Sequence, residues 1–394
     1  MIRIFFKTLW NNRKRNILVF IELLMISLVM FNLTLYLVNM ITVYRIKNCY
    51  NTDNVVLINI TKKADEDKSK TDQAFENLKK VLSSDPYVES VSISTTALPY
   101  NYNLWSSDYT YGEQHFNLAG RRVDFDYAKV MKIKPIKGRW FDETDIGKTV
   151  KPVIISKGAD EKYFDGNSIG KTIDDGNNKF EIIGVVDEFK RSDIEKPIDF
   201  AFFLSPTVNP QYYWAVSFLV RTKEGAAGKM LEQAEGQVYS TLDPEKWTIS
   251  NLNSLDNMRA SQNADSSQRN YLSIIIALFI MVNVFLGTIG ILWYNTNLRI
   301  NEIGIKRAVG STGSDIRRML ILESMVIAIL ALLIVMLIIM QVPTFLPGGA
   351  LEKGVYGKSV WISSISMVIL VLLSTWIPAA IASNIRPATA LKTE

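Results

Sequence analysis

The tripeptide Gly170-Lys171-Thr172 is how a phosphate-binding loop ends, and such a loop needs a glycine five positions before its last one, so that its N–H groups can wrap a polyphosphate. Asp165 stands at that position, and Gly166 is one residue too close. An aspartate there would set a negative side chain against the phosphates. The spacing therefore speaks against a nucleotide site. Cys49 is the only cysteine and His115 the only histidine. These counts exclude an internal disulfide and a clustered His/Cys metal site. They also leave a hydrolase without a Ser/His or metal constellation. Cys49 reads as a buried, inert thiol and His115 as an ordinary side chain.

Two carboxylates, Glu22 and Glu323, lie inside long apolar runs. A charge at the bilayer centre costs about 2.5–3.5 kcal/mol on insertion scales and normally faces protein. Both acids stand a few residues from one end of their run. A structural role is expected for them, paired with Arg13, Arg15 or Arg318 at the interface, ahead of a proton relay. The densest group of placed charges follows the second run, in "NTNLRINEIGIKRAVGSTGSDIRRMLILESMV", residues 295 to 326. Arg299, Glu302, Lys306 and Arg307 have helical spacing and would continue that run beyond the membrane. Gly310 can end the helix at a left-handed cap. After Ser311, Asp315 can cap a second short helix leading into the third run. These residues form a charged elbow between two membrane segments, suited to presenting a lever to a partner. Five basic residues would serve as topological anchors alone, but the placed glycine is more specific than that.

The elements that must position these groups follow from hydropathy. Four runs of about 20 residues are long enough to cross a hydrocarbon core: 17–40, 271–294, 319–342 and 360–382. A cleaved signal peptide is disfavoured for the first, which is too long and lacks a small-x-small site. Lysine and arginine crowd residues 1–16, the elbow 295–318 and the tail 383–394, which carries Arg386 and Lys392, whereas the short loop 343–359 holds only Lys353 and Lys358. By the positive-inside rule both termini and the elbow are cytoplasmic, and residues 41–270 lie outside. That outer stretch has 30 basic and 33 acidic residues, so the net positive charge belongs to the membrane flanks and nucleic acid is not implied. Outside the membrane there is no ATP pool for Gly170-Lys171-Thr172 to bind, and the motif reads as a turn between strands. The first 16 residues interleave Ile2, Phe5, Phe6, Leu9 and Trp10 with Arg3, Lys7 and Arg13, the pattern of a helix lying in the membrane face.

Within the outer stretch, "NVVLINI" (54–60), "VESVSIS" (88–94), "AVSFLVRT" (215–222) and "WTISNL" (247–252) read as strands. Residues 72–82 and 226–242 read as helices. Two β-α-β units thus bracket the domain, with a β-rich subdomain inserted at about 100–205 and a helical stalk at about 255–270. The fold class is an α-helical membrane protein with four transmembrane helices plus a large extracytoplasmic α+β domain.

The elbow sequence "EIGIKRAVGSTGSDIRRMLILES" resembles the segment after the second span in MacB/FtsX-like permeases of ABC transporters. The chain's close, "IPAAIASNIRPATALK", is similar to that family's ending, in which Pro-Ala leaves the last span. "KGRWF", "VIISKGADEKYF", "SIGKTI" and "FEIIGVVDEF" resemble its outer domain. The resemblance implies a four-span half-permease that works as a dimer with a second copy or paralogue. A separate cytoplasmic ATPase would bind ATP and Mg and drive it, with no cofactor in this chain and no enzymatic activity of its own. Some members carry the ATPase fused ahead of the first span. Nothing precedes Met1 here, so the partner is expected to be encoded elsewhere. The ATPase-coupling residues would be Arg299, Glu302, Lys306, Arg307, Gly310, Ser311 and Asp315. The implied setting is a bacterial plasma membrane, with membrane lipid around the spans, and a periplasmic adaptor or outer-membrane channel is left open. Export of a substrate is the leading function. The alternative is an FtsX-like signal transmitter that regulates an outer enzyme without transport.

Overall fold

A computed structural model describes residues 13–64, 68–94, 99–100, 105–193, 195–205, 215–345 and 353–384. The expected N-terminal surface helix falls largely on residues 1–12, and the tail with Arg386 and Lys392 on 385–394, both outside the described residues. The chain divides into two units. One comprises residues 1–42 and 269–394, the other Val43–Gln268.

The first unit is helical. Its long helices are α1 (Arg13–Arg45), the C-terminal part of a helix that begins at Leu255 and ends at Asn297, and two more at Gly313–Phe345 and Lys353–Ser383. All four are long and apolar enough to cross a membrane. With no water in the hydrocarbon to satisfy N–H and C=O groups, helices are the form such segments must take. Hydroxyls inside them turn back on their own backbone: Ser27 donates to Leu23 O at 2.7 Å and Thr288 to Val284 O at 2.7 Å. The helices meet in a core that includes Val19, Leu23, Leu292, Ala328, Ala331, Met367 and Val371. Apolar side chains such as Ile275, Phe279 and Leu337 point outward, as the surface of a membrane bundle requires. The last helix does not stop at its Pro-Ala. It runs through Pro378 to Ser383, because losing one backbone N–H inside an apolar span is tolerated where neighbouring groups compensate.

Among the described residues the second unit contains eleven strands. In chain order they and their helices are β1 (Val55–Lys62), α2 (Lys68–Ser83), β2 (Val88–Ser94), β3 (Trp105–Tyr111), β4 (Gln114–Val123), α3 (Tyr127–Met131), β5 (Pro135–Gly138), β6 (Lys151–Ser156), α4 (Lys157–Phe164), β7 (Thr172–Asp174), β8 (Lys179–Val186), β9 (Phe200–Leu204), β10 (Ala215–Thr222), α5 (Ala227–Tyr239) and β11 (Trp247–Ser254). The helix starting at Leu255 is α6 (Leu255–Asn297). The two β-α-β units interleave. Their strands lie in the order β11-β1-β10-β2 and are antiparallel throughout, the split β-α-β arrangement. Both faces of this sheet are covered, which is why β1 is nearly continuously apolar. Val56, Ile58 and Ile60 join Phe75, Leu78 and Leu82 of α2 and Met230, Ala234 and Val238 of α5. Val55 and Leu57 face the opposite core with Tyr127, Met131, Phe200 and Phe202. Trp247, 1% exposed, meets Phe75 edge-on at 5.0 Å.

The inserted β-rich part closes on itself. The run β4-β3-β7-β8-β6-β9 returns to β4 through a parallel pairing of β4 with β9. Tyr109, Phe116, Phe164, Phe180 and Phe203 fill its inside. Among the described residues a single strand pairing, Ser94 with Val123, joins this ring to the four-stranded sheet. Asp124 secures the joint, accepting from Ser92 Oγ at 2.6 Å, Ile93 N at 3.0 Å and Lys79 Nζ at 2.7 Å.

Gly170 and Lys171 lie in the turn between α4 and β7, and Thr172 opens β7, so the motif links a helix to a strand and not two strands as expected. Gly170 has φ +79° and donates its N–H to Ile182 O at 2.8 Å. Lys171 N donates to Ser168 O at 3.0 Å. The Lys171 ammonium lies over the rings of Tyr111 (5.1 Å) and Phe164 (5.4 Å). The N–H groups of this turn are used by the fold, and its lysine covers the aromatic core of the ring.

Replacing Phe75 with alanine is expected to cost the second unit about 3–5 kcal/mol. Hydrogen exchange of β1 and β10 amides in the full chain measures this. A loss below about 1 kcal/mol would show that α2 does not anchor the sheet.

Candidate functional site

The residues that sequence analysis grouped in the elbow come together in the helical unit, with a different division of labour from the one expected. The second span does not run on through the charges. α6 ends at Asn297, residues 298–299 turn, and a separate short helix α7 (Ile300–Ala308) follows. Arg299 stands at its N-cap and is 5% exposed. A guanidinium so placed needs acceptors for its donors. It donates through Nη1 to Glu323 Oε2, through Nε to Glu302 Oε2 at 3.0 Å and through Nη2 to Glu302 Oε1 at 3.2 Å. Glu323 lies on α8 (Gly313–Phe345) and is 7% exposed. For Glu323 the cation is therefore Arg299 and not Arg318. Arg13 and Arg15 have side chains outside the described residues, and Arg318 sits a turn and a half from Glu323 on the same helix. Glu22 is half-buried, and no donor among the described residues bonds it.

Glu302 passes the brace on, accepting from Lys306 Nζ at 2.8 Å, a pair with favourable i, i+4 spacing. Burial pushes the Glu302 carboxyl up, but the hydrogen bonds from Arg299 and Lys306 and their charges outweigh it and hold the group at about 2. Burial likewise opposes the charge on Arg299, and its bonds to Glu302 and the charge of Glu323 leave its pKa raised. The Lys306 ammonium also contacts Met319 Sδ at 3.3 Å.

Beyond α7 the chain turns by a Schellman motif. Gly310 takes φ +104°, Gly310 N donates to Arg307 O at 3.2 Å and Ser311 N to Lys306 O at 3.0 Å, the paired bonds that satisfy a helix's last carbonyls. Arg307 Nη1 adds a bond to Ser311 O at 3.3 Å. Asp315 is not itself the cap of a second short helix. α8 starts at Gly313 and continues as the third span, and Thr312 is its N-cap. Asp315 N donates to Thr312 Oγ1 at 3.2 Å while Thr312 N donates to Asp315 Oδ2 at 2.9 Å, a reciprocal capping box. The start of α8 is held to α9 (Lys353–Ser383) by Arg317, whose guanidinium lies 5.7 Å from the Trp376 ring and donates to Ser383 Oγ at 3.4 Å.

The elbow is thus rigid and amphipathic. Ile303 and Gly304 are buried, Ile303 against Ile316, Leu320, Ala379 and Ala382. Outward stand Asn301, Ile305, Ala308, Val309 and Gly310. Ile305 is 55% and Val309 84% exposed. Arg299, Glu302 and Lys306 brace one side of α7, Asp315 is exposed at the start of α8, and the exposed tip of α7 is mainly apolar. Ile305, Ala308 and Val309 were missed because charge drew attention first. Their i, i+3, i+4 spacing within "EIGIKRAVG" was the signal available.

Beside Arg299 and Glu323 lies a cavity of about 30 Å³, lined also by Asn295, Thr296, Ser324 and Thr375. That is room for a water or two. Among the described residues no group of three His, Cys, Asp or Glu side chains is placed to hold a metal ion. Cys49 is largely enclosed, and burial together with the nearby Asp187 carboxylate pushes its thiol pKa up, away from the range of a reactive thiolate. His115 is exposed on β4.

Four membrane-length helices and a large α+β domain define a membrane protein that carries an extracytoplasmic domain. Residues 23–236 match the MacB-like periplasmic core domain and residues 274–387 the FtsX-like permease C-terminal region. The chain belongs to the MacB/FtsX-like ABC transporter permease family. It is 24% identical over 259 residues to the macrolide export ATP-binding/permease protein MacB of Neisseria gonorrhoeae, covering 64% of this chain and 38% of that one. To the MacB of Escherichia coli (strain K12) it is 22% identical over 317 residues, covering 77% and 47%. The chain therefore spans less than half the length of these relatives. Among solved structures, the periplasmic region of MacB from Actinobacillus actinomycetemcomitans aligns with a TM-score of 0.36 and 18% identity, over 54% of this chain and 94% of that one. The extracellular domain of the noncanonic ABC-type transporter YknZ from Gram-positive bacteria aligns with a TM-score of 0.32 and 19% identity, over 50% and 100%.

Replacing Arg299 with methionine leaves a buried carboxylate without its cation and is expected to cost about 3–5 kcal/mol. The double variant with Glu323→Met should recover most of that loss, and a double-mutant cycle on thermal unfolding in detergent checks it. The Glu302 carboxyl is held below its usual 4.5, at about 2. Its stabilisation is then complete above about pH 4.5 and is lost as pH falls towards 2. The carboxylate infrared band missing in Glu302→Gln should therefore persist at pH 4, and its disappearance there would contradict the brace.

Proposed function

We propose that this chain is the permease subunit of an ABC transporter. In this reading a separate cytoplasmic ATPase binds and hydrolyses ATP with Mg, and its closure is converted into movement of the extracytoplasmic domain of a permease dimer, which extrudes or exports a substrate. The chain itself contributes no nucleotide site and no catalytic residue. The observation that carries the reading is the elbow. A short helix joins the second and third spans, is locked to the third by Arg299 and Glu323, and offers Ile305, Ala308 and Val309 as an apolar tip. A contact made through a tip so braced moves the spans with it, because the helix cannot pivot without breaking a buried ion pair. The lysine and arginine distribution supports a cytoplasmic elbow and termini, with the β-rich unit outside.

Two measurements test this. In a Cys49-free background, a cysteine at the exposed Asn177 should be labelled from outside intact cells by an impermeant maleimide, and one at Val309 only after the membrane is opened. The reverse pattern would overturn the orientation. Val309→Asp and Ile305→Asp should lose co-purified ATPase and stimulated hydrolysis while the spans and the outer unit stay folded. Glu302→Lys should weaken the same contact indirectly, by freeing α7. Full ATPase binding in both aspartate variants would show that the elbow is only a topological anchor. Retained hydrolysis with no export, together with control of an outer enzyme, would instead favour the signal-transmitting branch.

A further inference from the structure

Lys190 lies in the loop between β8 and β9 and is 1% exposed. Among the described residues its ammonium bonds no carboxylate. It donates to three main-chain carbonyls, those of Val43 at 3.0 Å, Ile46 at 3.3 Å and Asp193. Val43 belongs to the last turn of α1, where its carbonyl also accepts from Ile46 N at 3.3 Å and a cation is favoured by the helix dipole. Three residues on, Asp193 takes hold of a second helix. Its Oδ2 accepts from Arg259 Nε at 2.7 Å and Asn263 Nδ2 at 2.9 Å, both in the first turns of α6, and its Oδ1 accepts from Asn48 Nδ2 at 3.4 Å.

The loop is itself fixed to the β-rich core. Lys190 N donates to Asn48 Oδ1 at 3.0 Å, Tyr50 donates its hydroxyl to Lys190 O at 2.5 Å, and Cys49 N donates to Glu188 O at 2.8 Å. The Phe189 ring stacks on Phe200 at 4.0 Å and lies 5.4 Å from Tyr50. One four-residue segment therefore holds the end of one stalk helix and the start of the other against a rigid core. Burial works against the Lys190 charge, so an ammonium is a costly means of merely filling the site. What it adds over an apolar side chain is direction: three bonds that fix a helix end to a loop.

We infer that Lys190 and Asp193 are positioning residues that form the joint through which displacement of α1 and α6 is delivered to the β-rich unit. The inference rests on the transduction reading above. A joint of this kind should be separable from ATP hydrolysis, because neither residue touches the elbow.

The test uses the full chain with its ATPase in lipid nanodiscs. Spin labels are placed at cysteines replacing Asn177 and Ser314, in a Cys49→Ser background. Distances are measured with no nucleotide and with ATP, Mg²⁺ and vanadate. Lys190→Met and Asp193→Ala should keep ATPase binding and hydrolysis near the parent's. The nucleotide-dependent distance change should fall by at least about twofold, the scale at which such joints modulate coupling. The swapped pair Asp193→Arg with Arg259→Asp should restore the change, and Asp193→Glu should retain it. Distance change per ATP hydrolysed is a ratio that a purely structural role would not move. If Lys190→Met fails to assemble, the Asp193 and Arg259 series decides alone. If the parent moves and the variants move equally, the joint is overturned and the transduction reading stands. If the parent shows no nucleotide-dependent change, the transduction reading falls and the joint with it.

Discussion

Arg299 is a guanidinium taken almost wholly out of water, and its surroundings are organised by the need to answer its five donors. A buried ion pair is a weak source of stability, since desolvation consumes most of its Coulomb energy, but breaking one side of it is costly. That asymmetry makes Arg299–Glu323 a register mark. It fixes where the second span stops, because α7 must begin where its N-cap can reach Glu323. It also fixes the rotation of α7, because Glu302 must face the same guanidinium. Lys306 follows one turn later on the same side. With that face committed inward, Ile305 and Val309 have only solvent left to face.

The outer unit is governed by the same kind of economy at longer range. Its four-stranded sheet is buried on both faces and its aromatic-filled ring closes without a free edge, so each half is stiff on its own account. Among the described residues they share one strand pairing, Ser94 with Val123, reinforced by the Asp124 carboxylate. The loop carrying Lys190 and Asp193 answers to the β-rich half through Phe189 and to the helix ends through its two charges. A shared apolar core, in which Val55 and Leu57 of the sheet meet Phe200 and Phe202 of the ring, holds the halves together, and the polar contacts fix their register.

Much of this was legible in the residues. Four spans, the strands at 88–94 and 215–222, the helical start at Leu255 and the glycine turn after α7 depend on hydropathy, period and backbone freedom, which act over a few residues at a time. Gly310 could be read because a left-handed C′ position suits a residue without Cβ. The Thr312–Asp315 box was also present in the spelling, though the aspartate alone drew attention as a cap.

Other features were decided only in three dimensions. Two β-α-β units can lie side by side or interleave with the same local pattern, and the choice was made by burying both faces of β1. Closure of the ring depends on β4 meeting β9 in parallel across some 80 residues, and no local signal marks such a partner. The partner of Glu323 was sought among nearby arginines, but a buried carboxylate takes the cation that the helix packing delivers, here 24 residues away. Lys190 was indistinguishable from the other lysines of a solvated surface until the end of α1 was set against it. Sequence by itself determined which segments are helix, strand and span, because those constraints are local. Tertiary structure decided which charges meet and which apolar groups remain outside, because every cation is chemically eligible for every carboxylate and only packing chooses among them.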